Sequence, residues 1–289
     1  MNTVKTYLLM VGLMVLFMGL GYLFGGSGGM MIAFVIATIL NFVTYWYSDK
    51  IVLRMYNARE VVEADNSRLL RAVKRVTMQA MMPMPRVYLI PQRAPNAFAT
   101  GRDQEHAAVA ATEGILEILT DDELEGVIGH EMAHIKNKDM LIGTVAATFA
   151  GAIGMIASFA RFSAFFGGGG RDENDRSSGV SLLIMAIVAP IVAMLIQMAI
   201  SRQREFGADA EGGRITGKFL GLASALEKLH RSPVKMNMDD KPATANLMIM
   251  NPLSGRGFTN MFSTHPPVEE RIARLKELNQ QSVYTGIAG

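Results

Sequence analysis

Two histidines and a glutamate near the middle of the chain have the types and spacing of a metal-activated hydrolytic site. They belong to the segment His130-Glu131-Met132-Ala133-His134, an HExxH motif. On a helix, side chains four positions apart project from one face, so the two imidazoles can bind one Zn²⁺. Glu131 then lies beside the water that completes the coordination, where a general base is needed. The alternative is a solvated helix face without a metal.

The segment that carries the motif is predicted to be a helix over residues 121–138. Asp121 and Asp122 enrich its first turn, as is common at helix N-termini. Apolar side chains recur at helical spacing along it, at Leu124, Val127, Ile128, Met132 and Ile135. A helix is the geometry that the two-histidine site requires.

The region before the motif is predicted to contain a helix at 66–79, strands at 86–90, 97–100 and 107–112, and a further helix starting near 114. The strand at 107–112 is either an interior strand or the sheet edge that pairs with an extended substrate, and both interpretations stay open. A nearby methionine cluster is interpreted as adaptable core filler. Its members are Met78, Met81, Met82 and Met84.

Composition indicates a membrane protein. Half of the 289 residues are hydrophobic, which is high for a soluble domain of this size. The net charge of +2 is nearly balanced and does not suggest a nucleic-acid partner. The absence of cysteine excludes disulfides and thiolate ligands, so a zinc site here must use His, Asp or Glu.

Four apolar runs approach the roughly 20 residues that span a bilayer, at 7–24, 30–47, 141–160 and 180–200. They predict about four transmembrane helices in two hairpins. The first run is interpreted as a retained anchor rather than a signal peptide, because it is long and a second run follows at once. For the third and fourth runs the alternative is buried core helix.

Charge predicts the orientation of the first hairpin. Lys5 precedes the first run, and Lys50, Arg54 and Arg59 follow the second. By the positive-inside rule both ends of the hairpin face the cytoplasm, and the loop at 161–179 lies outside.

These features predict an α+β membrane protein with a mostly helical catalytic domain and a small β-sheet. The predicted divisions are a transmembrane hairpin at 1–48, a first cytoplasmic catalytic part at 49–140, a second hairpin at 141–200, and a second catalytic part at 201–289. A hairpin returns the chain to the side that it left. The segment after residue 200 is therefore predicted to lie beside the HExxH helix.

That returning segment offers the third metal ligand. Glu205 is its first carboxylate, and Asp209, one turn later, can accept the second ring N–H of a ligating histidine. His265 is the competing third ligand, and its other predicted roles are to precede a helix or to donate to an oxyanion. A metzincin is excluded, because Asn137 and Met140 stand where that class needs Gly and His.

Four segments in order, NAFATG, HEMAH, SRQREFGADA and STHPPVEERI, resemble the HtpX family of membrane zinc endopeptidases, relatives of the CAAX prenyl protease. The resemblance implies a zincin-like domain facing the cytoplasm of a bacterial inner membrane. It implies His130, His134 and Glu205 as zinc ligands, Glu131 as the catalytic base, and Asp209 as partner of a ligand histidine. It also implies degradation of misfolded or damaged membrane proteins.

A hypothesis from another class is a membrane scaffold or chaperone whose zinc is structural. Such a site is closed by four protein ligands, whereas a catalytic site keeps one position open. No fourth ligand is evident near the three that the sequence suggests, which favours the enzyme.

Overall fold

The computed structural model describes residues 2–65, 67–145, 202–233, 249, 266–284 and 286. Several predictions concern residues outside these ranges: most of the third apolar run, the whole fourth run, the loop at 161–179, and His265. They stay predictions.

The N-terminal apolar runs form one long helical element, α1 (Asn2–Met55), which is broken at Gly25 and Gly26. Gly26 has φ 56° and ψ −144°, a conformation that an L side chain rarely adopts, so the chain reverses there. The two arms pack together, and the Asn41 amide donates to the Met10 carbonyl at 3.2 Å. The predicted N-terminal hairpin is therefore present.

Among the described residues, one helix is long and apolar enough by length and composition to cross a membrane. It is the second arm at Gly25–Met55, and the first arm contains the shorter apolar helix Thr6–Tyr22. The start of the third apolar run packs against both arms, in a cluster that joins Leu13 and Ala37 with Leu141, Ile142 and Val145. The prediction of four transmembrane helices is not confirmed by the described residues, which contain this one candidate span.

Four short strands form one mixed sheet: β1 (Arg59–Glu60), β2 (Arg86–Ile90), β3 (Ala97–Gly101) and β4 (Ala107–Thr112). Their order is β1-β2-β4-β3, with β2 parallel to β4 and the other pairs antiparallel. The three predicted strands are confirmed. Among the described residues β3 is an edge strand, so the interpretation of residues 107–112 as the edge was wrong and the interior interpretation was right.

The small side chains of β4 are explained by its position between two packed layers. Ala108 and Ala110 face the end of α1, where Tyr56 packs against Phe98. On the other face, Ala107, Val109 and Ala111 pack against the helices. Strands covered on both faces are apolar throughout rather than alternating.

Three helices follow the predicted positions. They are α2 (Arg68–Ala80), α3 (Glu113–Ile118) and α4 (Asp121–Asn137). Each begins at a side-chain cap, Ser67 for α2, Thr112 for α3 and Thr120 for α4. In α4 the Glu123 side chain also accepts from the Thr120 N–H, which completes a capping box.

The later part of the chain adds α5 (Arg202–Thr216), α6 (Phe219–Arg231) and α7 (Val268–Tyr284). The backbones of α4 and α5 approach closely, since a Cβ on Gly212 would lie 2.6 Å from the backbone nitrogen of His130. Only glycine permits this approach. It brings the acidic face of α5 against the histidine pair.

The methionine cluster after α2 differs from the prediction. Met82 is partly buried and packs against the core, as expected. Met78, Met81 and Met84 are exposed, by 71%, 91% and 43% respectively. Helical spacing alone does not reveal this, because the three side chains lie at the end of α2 and in the turn beyond it, where the core ends.

Candidate metal centre

The two motif histidines lie on one face of α4 with their rings against each other. Their Nε2 atoms are 3.1 Å apart, and the ring planes are perpendicular. His130 is buried. The predicted helix therefore presents both imidazoles to one point, beside α5.

Glu205 in α5 completes a group of three potential ligands. Its Oε2 lies 3.6 Å from His130 Nε2, and its Oε1 lies 3.6 Å from His134 Nε2. Ligands roughly 2.1 Å from a tetrahedral ion lie about 3.4 Å apart. The separations of these three side chains therefore match those around one metal ion, and all three offer ligand atoms within 4.8 Å of one another.

The inner nitrogen of His130 is held by a buried ion pair. Its Nδ1 donates to Asp209 Oδ1 at 2.9 Å. Arg271 from α7 donates to both oxygens of Asp209, at 2.8 and 2.7 Å, and to the Ile249 carbonyl at 3.1 Å. A carboxylate on Nδ1 leaves the Nε2 lone pair for a metal and orients the ring.

His134 has a matching arrangement on the other side. Its Nδ1 donates to Asp139 Oδ1 at 3.1 Å. Asp139 reaches this position because Lys138, with φ 54°, ends α4 in the left-handed conformation and turns the chain back. Both histidines thus direct Nε2 at the same point.

Glu131 is buried beside the ligands and faces the sheet. Its Oε2 accepts from the Ala99 N–H at 2.7 Å. The N–H of Thr112 donates to the Asn96 carbonyl, so Asn96 directs its backbone groups towards β4. Successive residues of a strand alternate in this direction, and Ala99, three positions later, therefore directs its N–H away from β4. The outer edge of β3 therefore lies directly against this carboxylate.

The shared burial of these groups shifts their pKa values. Burial raises the pKa of Glu131 to about 8, and the Glu205 carboxylate adds to this, while His134 and the Ala99 N–H oppose it. Burial lowers the pKa of His134, but Asp139 and Glu205 outweigh it and raise the value to about 10. Four carboxylates around two imidazoles form a site that favours a cation.

Asp209 is ionised although it is buried, because it pairs with Arg271. Burial favours the neutral acid, but the Arg271 guanidinium and His130 hold the pKa of Asp209 well below its usual range. Burial lowers the pKa of His130, which favours the neutral imidazole that a metal requires.

The structure brings five of the residues predicted from the sequence into this site, and sequence reasoning missed three contributors. The structure groups His130, His134, Glu205 and Asp209 beside Glu131, while His265 lies outside the described residues. His106 and His230, the other two described histidines, are exposed on the surface. The missed contributors are Asp139, Arg271 and the Ala99 N–H. A signal existed for Arg271, because it lies on the same α7 face as buried Leu275.

Comparison with known proteins decides the family. The sequence model described as Peptidase family M48 matches residues 63–279. The protease HtpX homolog of Desulfatibacillum aliphaticivorans is 51% identical over 282 residues, covering 97% of this chain and 91% of that protein. The protease HtpX homolog of Paraburkholderia phytofirmans is 54% identical, covering 96% and 97%.

The chain belongs to peptidase family M48, in its HtpX group. Members of this family are metalloproteases, so the protein is a metalloprotease. The crystal structure of S. mikatae Ste24p is similar in fold, with a TM-score of 0.53 and 16% identity. The match covers 94% of this chain and 64% of that longer chain. The predicted resemblance to HtpX proteases is confirmed.

Proposed function

We propose that this protein is a zinc-dependent membrane endopeptidase that cleaves misfolded or damaged membrane proteins. The observation that carries the proposal is the set of ligand separations among His130, His134 and Glu205, with Glu131 next to the first of them on α4. Two imidazoles and one carboxylate form a ligand set that suits zinc.

The number of ligands favours an enzyme over a scaffold or chaperone with a structural zinc. The metal-binding group found among the described residues contains three side chains. Glu131, which follows His130 on α4, accepts from the Ala99 N–H. Three protein ligands leave a position open for a reactant, as catalytic zinc sites do.

The chemistry follows from the residues around the open position. A bound zinc ion supplies Lewis-acid activation of water and of the scissile carbonyl. Glu131 takes the proton of the attacking water and passes it to the leaving amine. The Ala99 N–H orients its carboxylate, and Asp209 and Asp139 keep the ring orientation of the two histidines while charge develops.

The substrate segment is proposed to pair with the outer edge of β3. Ala97 and Ala99 direct their backbone groups away from β4, where the Ala99 N–H donates to Glu131 and the Ala97 carbonyl accepts from the Ile249 N–H at 3.3 Å. An extended peptide added there would place its carbonyls next to the open metal position. The edge role that the sequence suggested for β4 thus passes to β3.

The role of His265 and the side of the membrane on which the active site lies are proposed from the sequence. His265, which lies three residues before the start of α7, is proposed to donate to the developing oxyanion. Lys50, Arg54 and Arg59 after the hairpin support an active site on the cytoplasmic side of the bacterial inner membrane.

The full chain purified in detergent provides the test. We expect about one zinc ion per chain. Glu131→Gln should retain this zinc, while casein cleavage falls by at least about a hundredfold, because the ligands remain and the base is lost. Glu125→Gln is the matched control, since Glu125 is a second buried glutamate of α4 that pairs instead with Arg75 at 2.7 Å.

Two results would contradict the proposal. Near-normal cleavage by zinc-loaded Glu131→Gln would remove Glu131 as the base. A wild-type chain that holds zinc tightly but cleaves neither casein nor a membrane-protein substrate would favour the scaffold.

A further inference from the structure

Three large apolar side chains are exposed together where α2 ends and turns towards β2. Met78, Met81 and Met84, here called the methionine surface, lie within seven residues, and Met81 is 91% exposed. Single exposed apolar residues are ordinary, but a group of this kind indicates a contact surface. The methionine surface belongs neither to the metal centre nor to the β3 edge.

The methionine surface lies at the end of the sheet that adjoins the aromatic end of the hairpin. Arg86, the first residue of β2, forms an ion pair with Asp49 of α1. Met84 is two residues before Arg86, hence within about 7 Å of it along the chain. At the same end of the sheet, Arg102 follows β3 and lies 4.5 Å from the Trp46 ring centroid.

Trp46 belongs to a group that marks a bilayer boundary. Tyr45, Trp46 and Tyr47 follow the apolar part of the second arm, and the Lys50 ammonium lies 5.4 Å from the Tyr47 ring centroid. Aromatic side chains of membrane helices concentrate at the headgroup level. The sheet end that contacts Trp46 therefore lies at the membrane surface.

The direction of α4 independently indicates that one end of the catalytic domain lies at the membrane surface. Its C-terminal end leads through exposed Lys136 and Lys138 to Leu141 and Ile142, which pack against the hairpin arms. Its N-terminal end, 17 residues or about 25 Å away, contacts the start of α6. The catalytic domain thus has one end at the bilayer and one end away from it.

We propose that the methionine surface inserts into the boundary between headgroups and acyl chains of the bilayer that holds the hairpin. Unbranched methionine side chains adapt to an irregular apolar medium, and shallow insertion of such residues is how peripheral segments bind membranes. Lys50 and Lys138, which are exposed where α1 and α4 approach the bilayer, suit anionic headgroups. This contact would fix the height of β3 above the bilayer and does not depend on proteolysis.

The chain has no cysteine, so single-cysteine variants report on one position each. Met78→Cys and Met81→Cys are labelled with an environment-sensitive fluorophore and reconstituted as the full chain into phosphatidylethanolamine–phosphatidylglycerol vesicles. Leu220→Cys is the matched control, because Leu220 is also apolar and 52% exposed but lies on α6 beside the start of α4. Quenching is measured with lipids that carry a nitroxide near the headgroup, and with aqueous iodide.

We expect nitroxide lipids to quench the labels at 78 and 81 at least roughly threefold more strongly than the label at 220, with the order reversed for iodide. Equal quenching patterns at all three positions would overturn the proposal. Labels at 78 and 81 that are protected from both quenchers would also overturn it, since a protein segment rather than lipid would then cover the methionine surface.

Discussion

Glu205 is proposed as a metal ligand and His265 as an oxyanion donor, so the loss of each side chain should affect zinc binding and turnover differently. Glu205 places one carboxylate oxygen 3.6 Å from His130 Nε2 and the other 3.6 Å from His134 Nε2, separations that fit a shared ion. Glu205→Ala should therefore be purified largely without zinc. His265→Ala should keep its zinc and lose about 10²–10³-fold in turnover, because an oxyanion donor acts mainly in the transition state.

Both variants are tested in two ways: zinc content is measured by mass spectrometry, and turnover is measured by casein cleavage. Glu211→Ala, a second α5 glutamate that pairs with Lys136, is the control for loss of charge on this helix. Empty His265→Ala together with loaded Glu205→Ala would show that the two assignments are exchanged.

At the scale of a single strand, β3 orients the base through one backbone N–H. Ala99→Pro removes the donor to Glu131 but leaves the β3–β4 ladder intact, because this N–H points away from β4. The hydrogen bond favours the ionised carboxylate, so its loss raises the pKa of Glu131. The acid limb of the profile of kcat/KM against pH should move to higher pH, with lower turnover.

Ala99→Gly keeps the N–H and is the matched control, expected to retain the wild-type acid limb. An unshifted profile in folded, metal-loaded Ala99→Pro would argue against orientation of the base by β3.

At the scale of a helix, α7 is joined to the metal centre through one fully buried ion pair. Arg271→Met leaves the Asp209 carboxylate buried without its partner, which costs about 3–5 kcal/mol. The apparent unfolding temperature and the zinc affinity should both fall, since Asp209 also orients His130.

Arg274→Met is the control for this helix. Arg274 is half exposed, pairs with Glu270 at 2.8 Å and lies 3.7 Å from the Phe206 ring centroid, so it should contribute only about 1 kcal/mol. Equal losses in the two variants would indicate that α7 docks by apolar packing alone.

At the scale of the whole molecule, the charges that flank the apolar runs predict which parts of the chain face which side. Lys136 at the end of α4 is expected on the cytoplasmic side, and Ser178, outside the described residues, on the other. A thiol at Ser178→Cys should react with an impermeant reagent in intact cells, and one at Lys136→Cys only after permeabilisation. Equal labelling of both would contradict two membrane hairpins and favour core helices for the third and fourth runs.

The sequence alone determined the features that depend on near neighbours along the chain. Spacing of three and four residues places His130 and His134 on one helix face, and Asp121 with Asp122 marks the first turn of that helix. The hairpin break at Gly26 is likewise a local backbone requirement. Glu205 was reached by a topological argument, that a hairpin returns the chain to the side it left.

Only the tertiary structure decided the features that depend on which distant segments meet. Strand order makes β3 rather than β4 the edge beside Glu131, although both strands are short and rich in alanine. Arg271 is part of the site because α7 packs across α5, 62 residues from Asp209 in sequence. Exposure of Met81 follows from where the core ends. Packing between distant elements sets each of these, and no local pattern of residue types encodes it.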